Sequence, residues 1–188
     1  DLVLYRTGII DQAQYLNIIV ENLNNVYKFA GVTQQSVANS SLTSWVKYYR
    51  QDENSPNSIV SYYVKGSLVA LCLDLLLRSK SQFSLDSVML HLFKLWQVNP
   101  IGVAENEFPA LIQAATGVDL AEFIQQATET TEMLPYVELL AQFGLDLTTR
   151  LAKNHQDSGK FNLSTASAVP LALGDLGAKL EKQALGYV

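Results

Sequence analysis

Apolar residues recur every three or four positions through most of the chain up to residue 144, which is the spacing of one face of an α-helix. The clearest start signal is Asp11, which has Gln14 three positions later and therefore fits a capping box. A helix is predicted from there to about Gly31, and a short helix before it is predicted to end at Gly8. One side of the longer helix is traced by Tyr15, Ile18, Ile19, Asn22 and Val26.

The middle of the chain predicts a turn, a brief helix, a loop and then a long helix. Residues 36–41 are polar and indicate a turn, whereas residues 42–49 have the spacing of a brief helix. Residues 51–57 lack apolar side chains and contain Pro56, so they predict an exposed loop. The nearly unbroken apolar run that follows predicts a long buried helix, with Asp74 and Arg78 paired on its outer face.

Four more helices are predicted before residue 144. The first begins after Ser84 and places His91 on its solvent side, while the others cover residues 105–115, 119–128 and 134–143. The first of these helices is predicted to bury Leu85, Val88, Met89, Leu92, Phe93 and Trp96.

The composition of the chain changes after Gly144. Residues 145–151 alternate between apolar and polar and could form a strand, and residues 154–167 are rich in Ser, Asn, Thr and Gly. The sequence therefore predicts three parts. They are a mainly α part over 1–145, a linker or strand plus loop over 146–175, and a last segment over 176–188 that either packs back on the helices or opens a β-rich module.

Composition excludes some classes of function. The chain has 188 residues, 48% of them hydrophobic, and a net charge of −5 without a cluster of Lys and Arg, which argues against a nucleic-acid partner. The apolar run of the long helix is interrupted by Lys65 and Asp74 and is shorter than the roughly 20 residues of a membrane span, so no span is predicted. Cys72 is the only cysteine and lies among apolar residues, as a small core side chain would.

The strongest candidate for chemistry is the start of the long helix, where Tyr62, Tyr63, Lys65 and Gly66 follow a polar turn. From these residues alone, Tyr63 is either a core tyrosine or a reactive hydroxyl. Other candidates are weaker. The adjacent carboxylates Asp52 and Glu53 suggest either an acid/base pair or a solvated loop.

A second group of aromatic side chains precedes that helix. Trp45, Tyr48 and Tyr49 have helical spacing, which is usual for core residues, although one of them could also line a cleft.

Tyr63, Lys65 and Gly66 match the Tyr-x-Lys-Gly signature of the helix that follows the zinc site in gluzincin metallopeptidases. Residues 44–50, 52–57, 61–66, 73–75 and 84–89, with Arg78, follow one another as they do in the glycyl aminopeptidase family, which the chain resembles over residues 1–145. The resemblance implies the helical C-terminal lobe of a thermolysin-like catalytic domain. It also implies that a PDZ-like module starts near residue 176.

The resemblance implies a role for each residue of the motif. Tyr63 would be catalytic, donating a hydrogen bond to the oxygen that becomes negative during peptide hydrolysis. Tyr62, about 100° around the helix, would contact substrate or line the cleft. Lys65 would be a structural cation paired with a carboxylate or helix end, and Gly66 with Ser67 and Ala70 would let a neighbouring helix approach closely.

The resemblance also implies zinc in the parent enzyme, although no metal ligand is predicted in this chain. His91 and His155 are the only histidines, and neither belongs to a His-Glu-x-x-His pattern. The chain is therefore expected to be a cofactor-free, inactive fragment of a zinc-dependent aminopeptidase.

The partners expected for such a fragment are the rest of the catalytic domain, a peptide substrate, and a second copy docked through an exposed apolar interface. The alternative is a non-catalytic helical protein-interaction domain on a peptidase-like scaffold. The sequence leaves the compartment open between cytoplasm and periplasm.

Overall fold

The computed structural model describes residues 1–154, 157–162 and 185–187, and in this part the chain is mainly α-helical, as the sequence predicts. The helices are α1 Leu2–Arg6, α2 Gln12–Tyr27, α3 Val37–Leu42, α4 Ser55–Ser58, α5 Tyr62–Lys80, α6 Leu85–Val98, α7 Phe108–Thr116, α8 Ala121–Glu129 and α9 Tyr136–Gln142. Ala30–Thr33 and Glu105–Glu107 form 3-10 turns, and the short strands are β1 Thr149–Leu151 and β2 Leu185–Tyr187.

The start of α2 follows its predicted cap. The Gln14 backbone N–H donates to the Asp11 carboxylate at 2.8 Å, and the Asp11 N–H donates to the Gln14 side chain at the same distance. The helix ends at Tyr27, earlier than predicted, and a 3-10 turn follows. Gly31 in that turn lies against the backbone of Ile59, and a Cβ on Gly31 would be only 1.9 Å from the Ile59 carbonyl oxygen.

Residues 36–49 reverse the predicted order of turn and helix. The Ser36 hydroxyl accepts a hydrogen bond from the Asn39 N–H at 3.2 Å and begins α3, which ends at Leu42. Residues 43–49 then form turns instead of a helix. Polar side chains anchor the segment, since the buried Ser40 hydroxyl donates to the Val60 carbonyl at 2.5 Å. Apolar spacing mispredicts this region because its apolar side chains are exposed.

Helix α5 is the centre of the structure and packs against α2, α3, α6, α8 and α9. Cys72 and the leucines around it are buried, as predicted, and burial raises the pKa of the Cys72 thiol to about 12. Beside them, Tyr27 and Tyr136 are buried with their hydroxyls 3.0 Å apart. By length and hydropathy alone the stretch Ser55–Lys80 could cross a membrane, and in the structure its helix α5 packs against five other helices.

The α5–α6 connection is held by a carboxylate that the sequence placed on the outer face. Asp74 accepts from Arg78 Nε at 2.8 Å and from the Leu85 N–H at 2.7 Å, and both charged side chains are more than three-quarters buried. The predicted pairing is therefore correct and the predicted exposure is wrong. Because Asp74 also accepts from the first residue of α6, it fixes where that helix begins.

Helix α6 buries much less than its spacing predicts. Val88 is fully buried, whereas Met89, Phe93 and Trp96 are 59%, 52% and 52% exposed. His91, expected in solvent, is half-buried. The prediction holds only in part. Leu85 and Leu92 are half-buried against the same core cluster as Val88, whereas the apolar stripe of Met89, Phe93 and Trp96 stays exposed.

The later helices end where glycine allows a left-handed residue, at Gly117 (φ +73°) and Gly144 (φ +77°), as predicted. Beyond them β1 pairs in parallel with β2, and the Phe161 N–H donates to the Asn17 side chain of α2 at 2.8 Å. His155 and residues 163–184 lie outside the described part. The predicted linker over 146–175 and the two alternatives for 176–188 therefore stay predictions.

Candidate functional site

The candidate site is the first turn of α5. The Ser61 hydroxyl accepts from the Val64 N–H at 3.3 Å and caps the helix, which places Tyr62 and Tyr63 at its first two positions. Tyr63 is 58% exposed, and Tyr62 is half-buried. Backbone N–H groups without helical partners at this end of a helix favour negative charge nearby.

The two tyrosines lie side by side instead of pointing apart. Their ring centroids are 4.2 Å apart, although the sequence predicts a separation of about 100° around the helix. Both hydroxyls reach Tyr49, whose oxygen is 3.2 Å from that of Tyr62 and 2.9 Å from that of Tyr63. Their shared contact with the Tyr49 hydroxyl places the two rings on the same side of the first turn.

Aromatic side chains from the preceding turns complete the surface. The Tyr48 ring lies 5.4 Å from those of Tyr49 and Tyr62, and its hydroxyl is 3.2 Å from the Ser61 hydroxyl. We call Tyr48, Tyr49, Tyr62 and Tyr63 the tyrosine cluster. Trp45, 79% exposed, extends it with its ring 5.1 Å from that of Tyr49. The prediction that this aromatic group is core is wrong, because it lies on turns at the surface.

The contacts between hydroxyls shift the pKa values of three tyrosines of the cluster in different directions. The hydrogen bond with Tyr49, followed by that with Tyr62, lowers the pKa of Tyr63 below the usual tyrosine value. The bond with Tyr49 raises the pKa of Tyr62. At Tyr49 the hydrogen bond with Tyr62 lowers the pKa and the bond with Tyr63 raises it. The net effect is a raised Tyr49 pKa. Tyr63 is thus the most acidic hydroxyl of these three.

Lys65 contradicts the role predicted for it. Its side chain is fully buried, and no hydrogen-bond partner for its ammonium nitrogen is found within the described ranges. Burial lowers the pKa of Lys65 because the charged form loses its hydration. Lys65 is therefore a buried cation without a carboxylate there, and the expected ion pair is absent from this part of the molecule.

Gly66 also departs from expectation. No atom of the described chain outside its own helix backbone and chain neighbours lies within 4 Å of the place where its Cβ would be. No helix approaches Gly66 closely, so the reason given for a small residue there does not hold. The close approach that the sequence missed is at Gly31, where nothing in the local pattern points to the distant Ile59.

The weaker carboxylate candidate is structural. The Asp52 carboxylate accepts from the Asn54 N–H at 3.1 Å and from the Ser55 hydroxyl at 3.0 Å, which organises the turn into α4. Glu53 is exposed. The solvated-loop interpretation of this pair therefore fits the structure, and the acid/base interpretation does not.

Zinc does not fit the side chains that the structure describes. No group of three His, Cys, Asp or Glu residues within residues 1–154 and 157–162 could hold a metal ion. A groove of about 260 Å³ lies between α1, α2, α5 and α6, away from the tyrosine cluster. It is lined by Leu2, Tyr15, Leu71, Asp74, Asp86 and Met89, among others.

Comparison with known proteins shows a family similarity that includes this site. Residues 1–69, which include the whole tyrosine cluster, match the family model of M61 glycyl aminopeptidase. Over these residues the chain is similar to the glycyl aminopeptidase family. No curated protein matches the chain.

A solved structure extends the likeness beyond the segment matched to the glycyl aminopeptidases. The crystal structure of the aminopeptidase N family protein from Idiomarina loihiensis is 39% identical, with a TM-score of 0.76 over 81% of this chain. The chain spans about a quarter of that protein, 26% of its length. The likeness supports a peptidase domain as the fold.

Proposed function

We propose that this chain is part of a zinc-dependent aminopeptidase that removes N-terminal residues from peptides, and that Tyr63 is its contribution to catalysis. The observation that carries the proposal is the exposed Tyr63 hydroxyl at the first turn of α5, inside the segment matched by the M61 glycyl aminopeptidase model. The zinc ligands would come from the remainder of the catalytic domain, because the described residues of this chain offer no group of three ligands.

Tyr63 has the properties required of a donor to a developing oxyanion. A phenol is neutral at working pH, and its hydrogen bond strengthens as charge grows on the carbonyl oxygen of the scissile peptide bond. A lowered pKa makes its proton a better donor while leaving it bound. The dipole at the start of α5 further favours negative charge at this place. Tyr62, half-buried beside it, is proposed to contact the substrate through its ring.

The test of this role is Tyr63→Phe in the intact enzyme that contains this chain. We expect kcat to fall by roughly 10² to 10³, the range for losing one oxyanion donor, with zinc content and melting temperature unchanged. The ring stays and one hydrogen bond is lost. Tyr48→Phe is the matched control, because its hydroxyl contacts that of Ser61, whereas the Tyr63 hydroxyl contacts that of Tyr49. Full kcat in Tyr63→Phe would refute the role.

A second candidate is a non-catalytic interaction domain on the same scaffold. The observation in its favour is the apolar stripe of α6, where Met89, Phe93 and Trp96 are more than half exposed. Either the remainder of a catalytic domain or a second copy of the chain would be suited to cover it. The two candidates separate on the kinetic experiment above, since an interaction domain requires no peptide hydrolysis that depends on Tyr63.

A further inference from the structure

The hydroxyls of the tyrosine cluster form a connected series whose middle member is not part of the Tyr-x-Lys-Gly motif. Tyr49 lies on the turns after α3, and its oxygen is within hydrogen-bond distance of both Tyr62 and Tyr63. Its side chain is held from the other side by the Trp45 ring at 5.1 Å and the Tyr48 ring at 5.4 Å. Tyr49 is thus fixed at a junction between the turns and the first turn of α5.

Counting protons gives the direction of these bonds. Each phenol has one proton to donate, and Tyr63 must keep its own for the substrate oxygen if it acts as proposed above. The 2.9 Å contact then requires Tyr49 to donate to Tyr63. Since the Tyr49 proton is already donated to Tyr63, the 3.2 Å contact requires Tyr62 to donate to Tyr49.

We propose that Tyr49 and Tyr62 are positioning residues, which form a hydroxyl chain Tyr62 to Tyr49 to Tyr63 that turns the Tyr63 proton toward the bound substrate. This inference rests on the proposed role of Tyr63. Linked hydrogen bonds polarise one another, so each donor in the series strengthens the next. The last hydroxyl therefore donates more strongly than an isolated tyrosine in water.

The acidities of the three groups follow the same order. Donating a hydrogen bond stabilises the neutral phenol, and accepting one stabilises the charge that grows on its oxygen. The pKa of Tyr62 is raised and that of Tyr63 is lowered, as expected for the first and last members. Opposing effects act on Tyr49, which both accepts and donates.

The first experiment is a pH titration of the chain by carbon NMR with tyrosine labelled at Cζ, assigned through single Tyr→Phe variants. Tyr63 should ionise below the ordinary value of 10.0, and Tyr49→Phe should raise its pKa toward that value. Tyr49 is half exposed, so the fold should tolerate the loss of one oxygen, and circular dichroism verifies this.

Tyr48→Phe is the matched control, because it removes a hydroxyl from the same aromatic cluster without interrupting the chain. It should leave the Tyr63 pKa where it is. An unchanged Tyr63 pKa in Tyr49→Phe, or an equal rise in Tyr48→Phe, would overturn the hydroxyl chain.

Kinetics of the intact enzyme separate this inference from the proposed function. Tyr49→Phe should lower kcat roughly 10-fold, the loss of one hydrogen bond of ordinary strength, with the alkaline limb of the pH profile moved upward. If Tyr63→Phe lowers kcat by the factor expected above while Tyr49→Phe leaves the Tyr63 pKa unchanged, the hydroxyl chain fails and the catalytic role stands. If the pKa moves but Tyr63→Phe keeps full kcat, the chain of bonds exists and the catalytic role fails.

Discussion

Lys65 shows how much a single residue can depart from its sequence pattern. In the motif it resembles a paired structural cation, yet its nitrogen is buried and finds no acceptor in the part of the chain described. A buried polar group without a partner costs free energy of folding, since it has given up its hydrogen bonds to water. Lys65 therefore lowers the free energy of unfolding of this chain.

Replacing Lys65 by methionine should stabilise the chain by about 1–3 kcal/mol, because the apolar volume stays and the unpaired ammonium is removed. Chemical denaturation of both proteins measures this. Leu68→Met, one turn further along and equally buried, controls for the introduction of methionine itself. A less stable Lys65→Met would show that the ammonium has a partner after all.

The difference between the two proteins should also depend on pH. The pKa of Lys65 is lower in the folded chain than the usual 10.5, so between the two values the unfolded chain binds one more proton. The loss of folding free energy caused by Lys65 is full below the pKa of Lys65 in the folded chain. It disappears as the pH rises to the pKa of Lys65 in the unfolded chain. The advantage of Lys65→Met should thus shrink on going to alkaline pH.

Two glycines make a matched test of where small residues are required. Gly66→Ala should stabilise the chain by about 0.5–1 kcal/mol, because alanine favours a helix and its Cβ enters open space. Gly31→Ala should instead destabilise it severely, since its Cβ would overlap the Ile59 carbonyl. Melting temperatures compare them. A stable Gly31→Ala would mean that the Ile59 backbone can move away.

At the scale of elements, α6 shows where apolar spacing misleads. Its stripe predicts burial, but only Val88 is fully buried. Leu85 and Leu92 are half-buried against the core, and Met89, Phe93 and Trp96 are exposed. Val88→Ala should cost about 1–3 kcal/mol, whereas Trp96→Gln should change unfolding free energy by less than about 0.5 kcal/mol. Denaturation of dilute protein tests the pair. A large loss in Trp96→Gln would place that side chain in a contact between copies.

Sequence predicted helices best where local chemistry fixes their ends. Asp11 with Gln14 caps α2, and Gly117 and Gly144 end α7 and α9, as expected. The segment over 36–49 was mispredicted, because its conformation depends on the long-range bond from Ser40 to Val60. The same limit applies to the site. The motif located Tyr63, but only the fold could bring Tyr49 to it.

At the scale of the whole molecule, the described chain is one set of helices around α5, and its candidate chemistry lies at the surface, at the first turn of that helix. The groove beside α1 and α2 contains neither Tyr62 nor Tyr63. A cleft at the tyrosine cluster would need a second wall, which fits a chain covering 26% of the structure it resembles. The position of the cluster at the surface is therefore compatible with the proposed function.

Both tryptophans of the chain lie at the surface, Trp45 beside the tyrosine cluster at 79% exposure and Trp96 on α6 at 52%. Their indole fluorescence consequently reports on solvent at these two places and hardly on the core. A denaturation curve followed by this emission would understate the transition. The same insensitivity gives the protein a built-in optical probe, because anything that covers the cluster must shield Trp45 from a dissolved quencher.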